Sequence, residues 1–89
     1  MVLHAVVKGR VQGFGFRYWV RDQAQAIGVK GWVGNNPDGS VEAEAEGTED
    51  QLFEFEQALW RGPVLSRVTD VKCDRMDFAR GYDRFEITR

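Results

Sequence analysis

Val29-Lys30-Gly31-Trp32-Val33-Gly34-Asn35, Asn36-Pro37-Asp38-Gly39 and Val41-Glu42-Ala43-Glu44-Ala45-Glu46 follow one another with only Ser40 between the last two. The middle stretch is a turn: proline presets φ, and Gly39 takes the left-handed position. The flanking stretches therefore form a hairpin. In the second, strict alternation puts Val41, Ala43 and Ala45 on one face and Glu42, Glu44 and Glu46 on the other. One face is expected to be buried and the acidic one to be a solvated surface.

Each side of this hairpin predicts a helix. Downstream, Thr48-Glu49-Asp50-Gln51 has the capping-box form, and Leu52, Phe55 and Leu59 then make an apolar stripe that stops near Gly62-Pro63. Upstream, Phe16, Val20, Ala24 and Ile27 recur at helical spacing, with Gly28 placed to cap the end. Val2 to Lys8 is rich in β-branched residues and reads as a first strand. Val68 to Phe78 and Phe85 to Thr88 read as extended segments. The order is β-α-β-β-α-β with a short extra C-terminal strand. It predicts an α+β, ferredoxin-like split βαβ fold, an antiparallel sheet with two helices on one face.

At 89 residues and 10.2 kDa the chain suits a single domain, 1–89, with one modest core. Twelve Lys and Arg against fourteen Asp and Glu leave a formal charge of −2, so no global field draws it to nucleic acid or anionic lipid. Any anion must be caught locally. The single cysteine, Cys73, excludes an intrachain disulfide framework and any multi-cysteine zinc site. No apolar run approaches a membrane span, and Met1-Val2-Leu3-His4 lacks the features of a signal peptide. The expected state is a monomer in the cytoplasm, with no membrane or nucleic-acid partner.

The local anion site is predicted in Gly9-Arg10-Val11-Gln12-Gly13-Phe14-Gly15-Phe16-Arg17, a glycine-rich loop entering the first helix. Glycines allow backbone N–H groups to converge, and the start of a helix favours an anion. Arg17 in the first turn opposes the helix dipole unless an anion lies between them, and its planar fork suits two phosphate oxygens. The spacing is neither a Walker loop nor a dinucleotide fingerprint. A right-handed crossover makes the first two strands parallel, so Asn35 ends at the same sheet edge as the loop. Its amide could hold a water in line with a bound phosphorus. Spacing alone equally allows a tight connection with Arg17 in solvent and Asn35 capping the turn.

Val7-x-Gly9-x-Val11-Gln12-Gly13-x-x-Phe16-Arg17, with Gly31-Trp32-Val33-x-Asn35-x-x-x-Gly39-x-Val41 and Gly47, resembles the paired signatures of the acylphosphatase family. The likeness extends to Gly62-Pro63 and Tyr82-x-x-Phe85-x-Ile87, covering essentially the whole chain. It implies hydrolysis of an acyl phosphate to a carboxylate and inorganic phosphate. It also implies that Arg17 binds the phosphoryl group with the amides of Gln12, Gly13, Phe14, Gly15 and Phe16, and that Asn35 positions the attacking water. Two positions depart from the usual pattern. Phe14 replaces a small aliphatic residue, and Gly34 stands where Lys or Arg is frequent.

The residues agree with that chemistry. Neither His4 nor Cys73 belongs to the constellation, so no covalent phospho-enzyme and no dedicated protein base has a candidate. Neither a metal nor a cofactor is expected. Two other readings use the same residues. An anion-binding or regulatory domain would share the loop, but would have no turnover to lose on replacement of Asn35. An RNA-recognition module shares the Gly-Phe-Gly-Phe run at 13–16, but carries it on its third strand, which here is Val41 to Glu46.

Overall fold

The computed structural model describes residues 1–89. Strand β1 spans Val2–Arg10, helix α1 Phe16–Ile27, β2 Lys30–Asn35, β3 Val41–Glu46, helix α2 Glu49–Arg61, β4 Arg67–Met76 and β5 Phe85–Ile87. The sheet order is β4-β1-β3-β2-β5. β1 pairs antiparallel with β3 and β4, and β2 pairs antiparallel with β3. The short last strand departs from the antiparallel expectation: β5 lies parallel to β2, which makes the sheet mixed.

That exception follows from connectivity. β4 and β5 occupy opposite edges, so residues 77–84 must cross the width of the sheet between them. Both helices lie on one face, α1 over β2 and β5 and α2 over β1 and β4. Leu3, Ala5 and Val7 of β1 and Val41, Ala43 and Ala45 of β3 meet Phe16, Val20 and Ala24 of α1 and Leu52, Phe55 and Leu59 of α2 in one core. The connection therefore takes the other face, and it meets the glutamates of β3 there.

This corrects the expectation of a solvated acidic face. Glu44 is only 5% exposed. It accepts from Arg80 Nε at 2.8 Å and from the Tyr82 hydroxyl. Glu46 accepts from the N–H groups of Arg80, Gly81 and Tyr82 at 2.7, 3.0 and 3.1 Å. Those amides, Arg80 foremost, hold its carboxyl below the usual range. Glu42 is bonded to His4 Nε2 at 2.6 Å, which likewise lowers its pKa. Alternation correctly placed the three side chains on one face; a distant segment crossing that face decided what Glu44 and Glu46 touch, and His4 and Arg89 what Glu42 touches.

Candidate active site

The carboxyl ends of β1 and β2 point the same way, because each is antiparallel to the β3 that lies between them. This brings the loop 11–15 and the start of α1 beside Asn35. Val11 and Phe16 are buried at either end of the loop, so its backbone is pinned to the core while its middle stays at the surface. Gly13 and Gly15 sit at φ +85° and +70°, the left-handed region that a glycine enters without strain. Gly15 is the N-cap of α1. It supplies no side-chain cap, and no acidic residue occupies the first turn.

The consequence is electrostatic. The first amides of α1 have neither a capping oxygen nor a nearby carboxylate, so the positive end of the helix is uncompensated from within the chain. Arg17 adds a guanidinium to this same end and pairs with no carboxylate. These groups border a cavity of about 90 Å³ lined by Gly13, Gly15, Phe16, Arg17 and Asn35, together with Val11 and Tyr18. It has room for a few waters or one small polar group. A wider groove of about 600 Å³ beside Trp19 and Arg61 has no comparable convergence of donors.

Asn35 contributes a side-chain amide. Its Oδ1 is buried and has no hydrogen-bond partner. Such an atom forfeits hydration unless a donor reaches it, and Asn35 itself lines the cavity. The groups therefore differ in sign: amides and a guanidinium for an anion, a carbonyl oxygen for a donor such as water.

Of the residues predicted at the site, Gly13, Gly15, Phe16, Arg17 and Asn35 share this cavity, whereas Gln12 and Phe14 do not line it. Gln12 turns its side chain to the hairpin, where Nε2 donates to the carbonyls of Asn36 and Ser40 at 2.8 and 2.9 Å. It thereby ties the loop to the turn after Asn35. Phe14 stacks under Arg10, whose guanidinium carbon is 5.0 Å from the ring centroid. Ser40, which spacing did not single out, is buried and donates both N–H and hydroxyl to Asp38 Oδ1, lowering the Asp38 pKa. His4 sits on the helix-free face with Trp32 and Glu42. Burial pushes the Cys73 thiol up to about 12, which leaves it an inert packing group beside the core.

Comparison with known proteins gives this geometry its context. The acylphosphatase family model matches residues 3–87. The chain belongs to the acylphosphatase family. An acylphosphatase of Bacillus licheniformis is 45% identical over 83 residues, covering 93% of this chain and 92% of the relative. An acylphosphatase of Treponema denticola is 48% identical over 85 residues, covering 96% of this chain and 89% of the relative. The crystal structure of acylphosphatase from Bacillus subtilis superposes with a TM-score of 0.95 at 41% identity, each chain covering all of the other. As an acylphosphatase, the chain is a hydrolase that cleaves the carboxyl–phosphate bond of acyl phosphates to a carboxylate and inorganic phosphate. No helix is long and apolar enough to cross a membrane.

Proposed function

We propose that the cavity at the start of α1 is where hydrolysis occurs, that Arg17 and the amides of residues 12–16 hold the phosphoryl group, and that Asn35 orients the attacking water. The observation that carries this reading is the union of an uncapped helix start, an unpaired Arg17 and a buried, unpartnered Asn35 Oδ1 around one small cavity. Spread charge on the equatorial phosphoryl oxygens needs fixed donors, which amides and a guanidinium supply without reorganising. An acyl phosphate already has a good leaving group, so alignment and neutralised charge carry most of the barrier reduction.

In the step itself the water oxygen bonds to phosphorus as the phosphorus–oxygen bond to the acyl group breaks. The carboxylate departs with the electron pair, and a phosphate oxygen of the substrate takes the water's proton. The Asn35 amide oxygen accepts a hydrogen bond from the water, takes no proton and stays neutral throughout. We also assign the working form as a cytoplasmic monomer, on the lone, half-buried Cys73 and the mixed surface charge. Sedimentation at working concentration tests the monomer.

Hydrolysis of benzoyl phosphate, measured with and without chelator, tests the residue roles. Arg17→Ala is expected to lower kcat/KM by about 10²–10³-fold, the scale for removing one transition-state donor, and to weaken inhibition by inorganic phosphate. Asn35→Ala is expected to lose turnover while phosphate still inhibits. Wild-type kinetics in both variants would overturn the roles, and no turnover by the wild type would overturn the activity.

A further inference from the structure

After β5 the chain continues alongside the end of β2, and Arg89 comes to lie against Asn35. The Asn35 N–H donates to the Arg89 carbonyl at 2.7 Å, and Arg89 Nε donates back to the Asn35 carbonyl at 3.1 Å. Arg89 Nη2 also reaches Asn36 Oδ1 at 2.8 Å and Glu42 Oε1 at 3.2 Å. Its guanidinium carbon is 5.7 Å from the Trp32 ring centroid. Both backbone polar groups of Asn35 are thus held by one arginine.

Strand alternation separates that arginine from the cavity. Trp32 and Glu42 are on the helix-free face, so the Arg89 guanidinium is there too, while Asn35 shares the opposite face with the core residue Val33. Arg89 does not line the cavity. Gly34, between Trp32 and Asn35, provides the space: a Cβ there would stand 2.6 Å from Thr88 Oγ1 and 2.9 Å from Arg89 Cγ. The side chain of Glu42 is fixed in turn by His4. One strand residue that lines the cavity is therefore clamped from behind, while its own buried amide oxygen has no partner within the chain.

We propose that Arg89 is a positioning residue for hydrolysis: it fixes the backbone of Asn35, and so the aim of the Asn35 amide, without touching substrate. The inference rests on the reading that Asn35 orients the water. Loss of aim affects the reacting geometry and not the phosphate cradle, so the effect falls on kcat alone.

Benzoyl phosphate kinetics with inorganic phosphate as inhibitor test it in Arg89→Ala, Arg89→Lys, Gly34→Ala, Asn35→Ala and the Asn35→Ala/Arg89→Ala double variant. Arg89→Ala is expected to lower kcat by about 10- to 100-fold, the scale of a small misplacement, with KM and phosphate inhibition unchanged. Arg89→Lys recovers only part, because an ammonium lacks the fork that reaches Asn35, Asn36 and Glu42 together. The double variant loses no more than Asn35→Ala, since the two act as one unit. Should Arg89→Ala fail to fold, Gly34→Ala displaces the same segment and is expected to show the same kcat-selective loss. Wild-type kcat in a folded Arg89→Ala or Gly34→Ala beside an inactive Asn35→Ala would overturn the positioning role alone. A raised KM at unchanged kcat, or multiplicative losses in the double variant, would overturn it as well. Wild-type turnover in Asn35→Ala would instead overturn the Asn35 reading beneath it.

Discussion

Gly15 shows how a single backbone angle sets the chemistry available at the loop. At φ +70° and ψ +20° it turns the chain into α1 without contributing a capping side chain. A Cβ there would meet nothing within 4 Å, so any cost of substitution comes from the backbone and not from collision. Gly15→Ala is expected to lose about 1–2 kcal/mol of stability, the cost of a left-handed conformation for a residue with a Cβ. Gly15→Asn is expected to recover part of this, because asparagine enters that region more readily. Urea unfolding of the two variants checks both. An alanine variant as stable as the wild type would show that the loop relaxes to another conformation.

The two helices divide their labour at their first turns. α1 begins without a cap at the cavity, whereas α2 begins with a complete capping box: Gln51 N–H donates to Thr48 Oγ1 at 3.2 Å and Thr48 N–H to Gln51 Oε1 at 2.9 Å. Glu49 and Asp50 further satisfy the α2 dipole, so this helix start has no positive end to offer a ligand. Thr48→Ala is expected to cost about 1 kcal/mol, the usual worth of such a cap, and to leave kcat for benzoyl phosphate unchanged. Thermal unfolding beside steady-state kinetics tests this, and a fall in kcat would tie α2 to the site. Both helices were legible in the sequence because their signals are local. The stripe Phe16, Val20, Ala24 marked α1 and the box at 48–51 marked α2, each within a few residues of its boundary. That Gly13, Gly15, Arg17 and Asn35 meet at one sheet edge was legible from the loop and the crossover, whereas spacing left their role open and only the resemblance to the acylphosphatase signatures suggested one. Arg89 was not legible, because it is 54 residues from Asn35 and nothing near it in sequence shows which strand it joins.

At the scale of the whole molecule, the path of residues 77–84 across the helix-free face joins the far edges of the sheet and converts two of an apparently wet row of glutamates, Glu44 and Glu46, into anchors. Neither alternation nor composition contains that information, since it follows from β4 and β5 lying at opposite edges. The anchors make this face acid-sensitive. In the folded chain the Glu46 carboxyl is held below its ordinary pKa, mainly by the Arg80 N–H and next by the Tyr82 N–H; Glu42 is held down chiefly by its bond to His4. A depressed carboxylate stabilises the fold at every pH above its unfolded value. That contribution is lost as pH falls below the ordinary glutamate range towards the folded value, because the unfolded chain then binds protons the folded chain resists. Wild-type thermal stability is therefore expected to drop as pH falls through and below about 4.5, the ordinary value for the group. Glu46→Gln is expected to melt lower than wild type at neutral pH, having lost the charge on its three backbone bonds, and to fall less steeply in acid. The two melting curves should converge at the acid end. Parallel pH profiles would mean that the connection is held by Glu44 and its partners Arg80 and Tyr82, and that the charge on Glu46 contributes nothing to the fold.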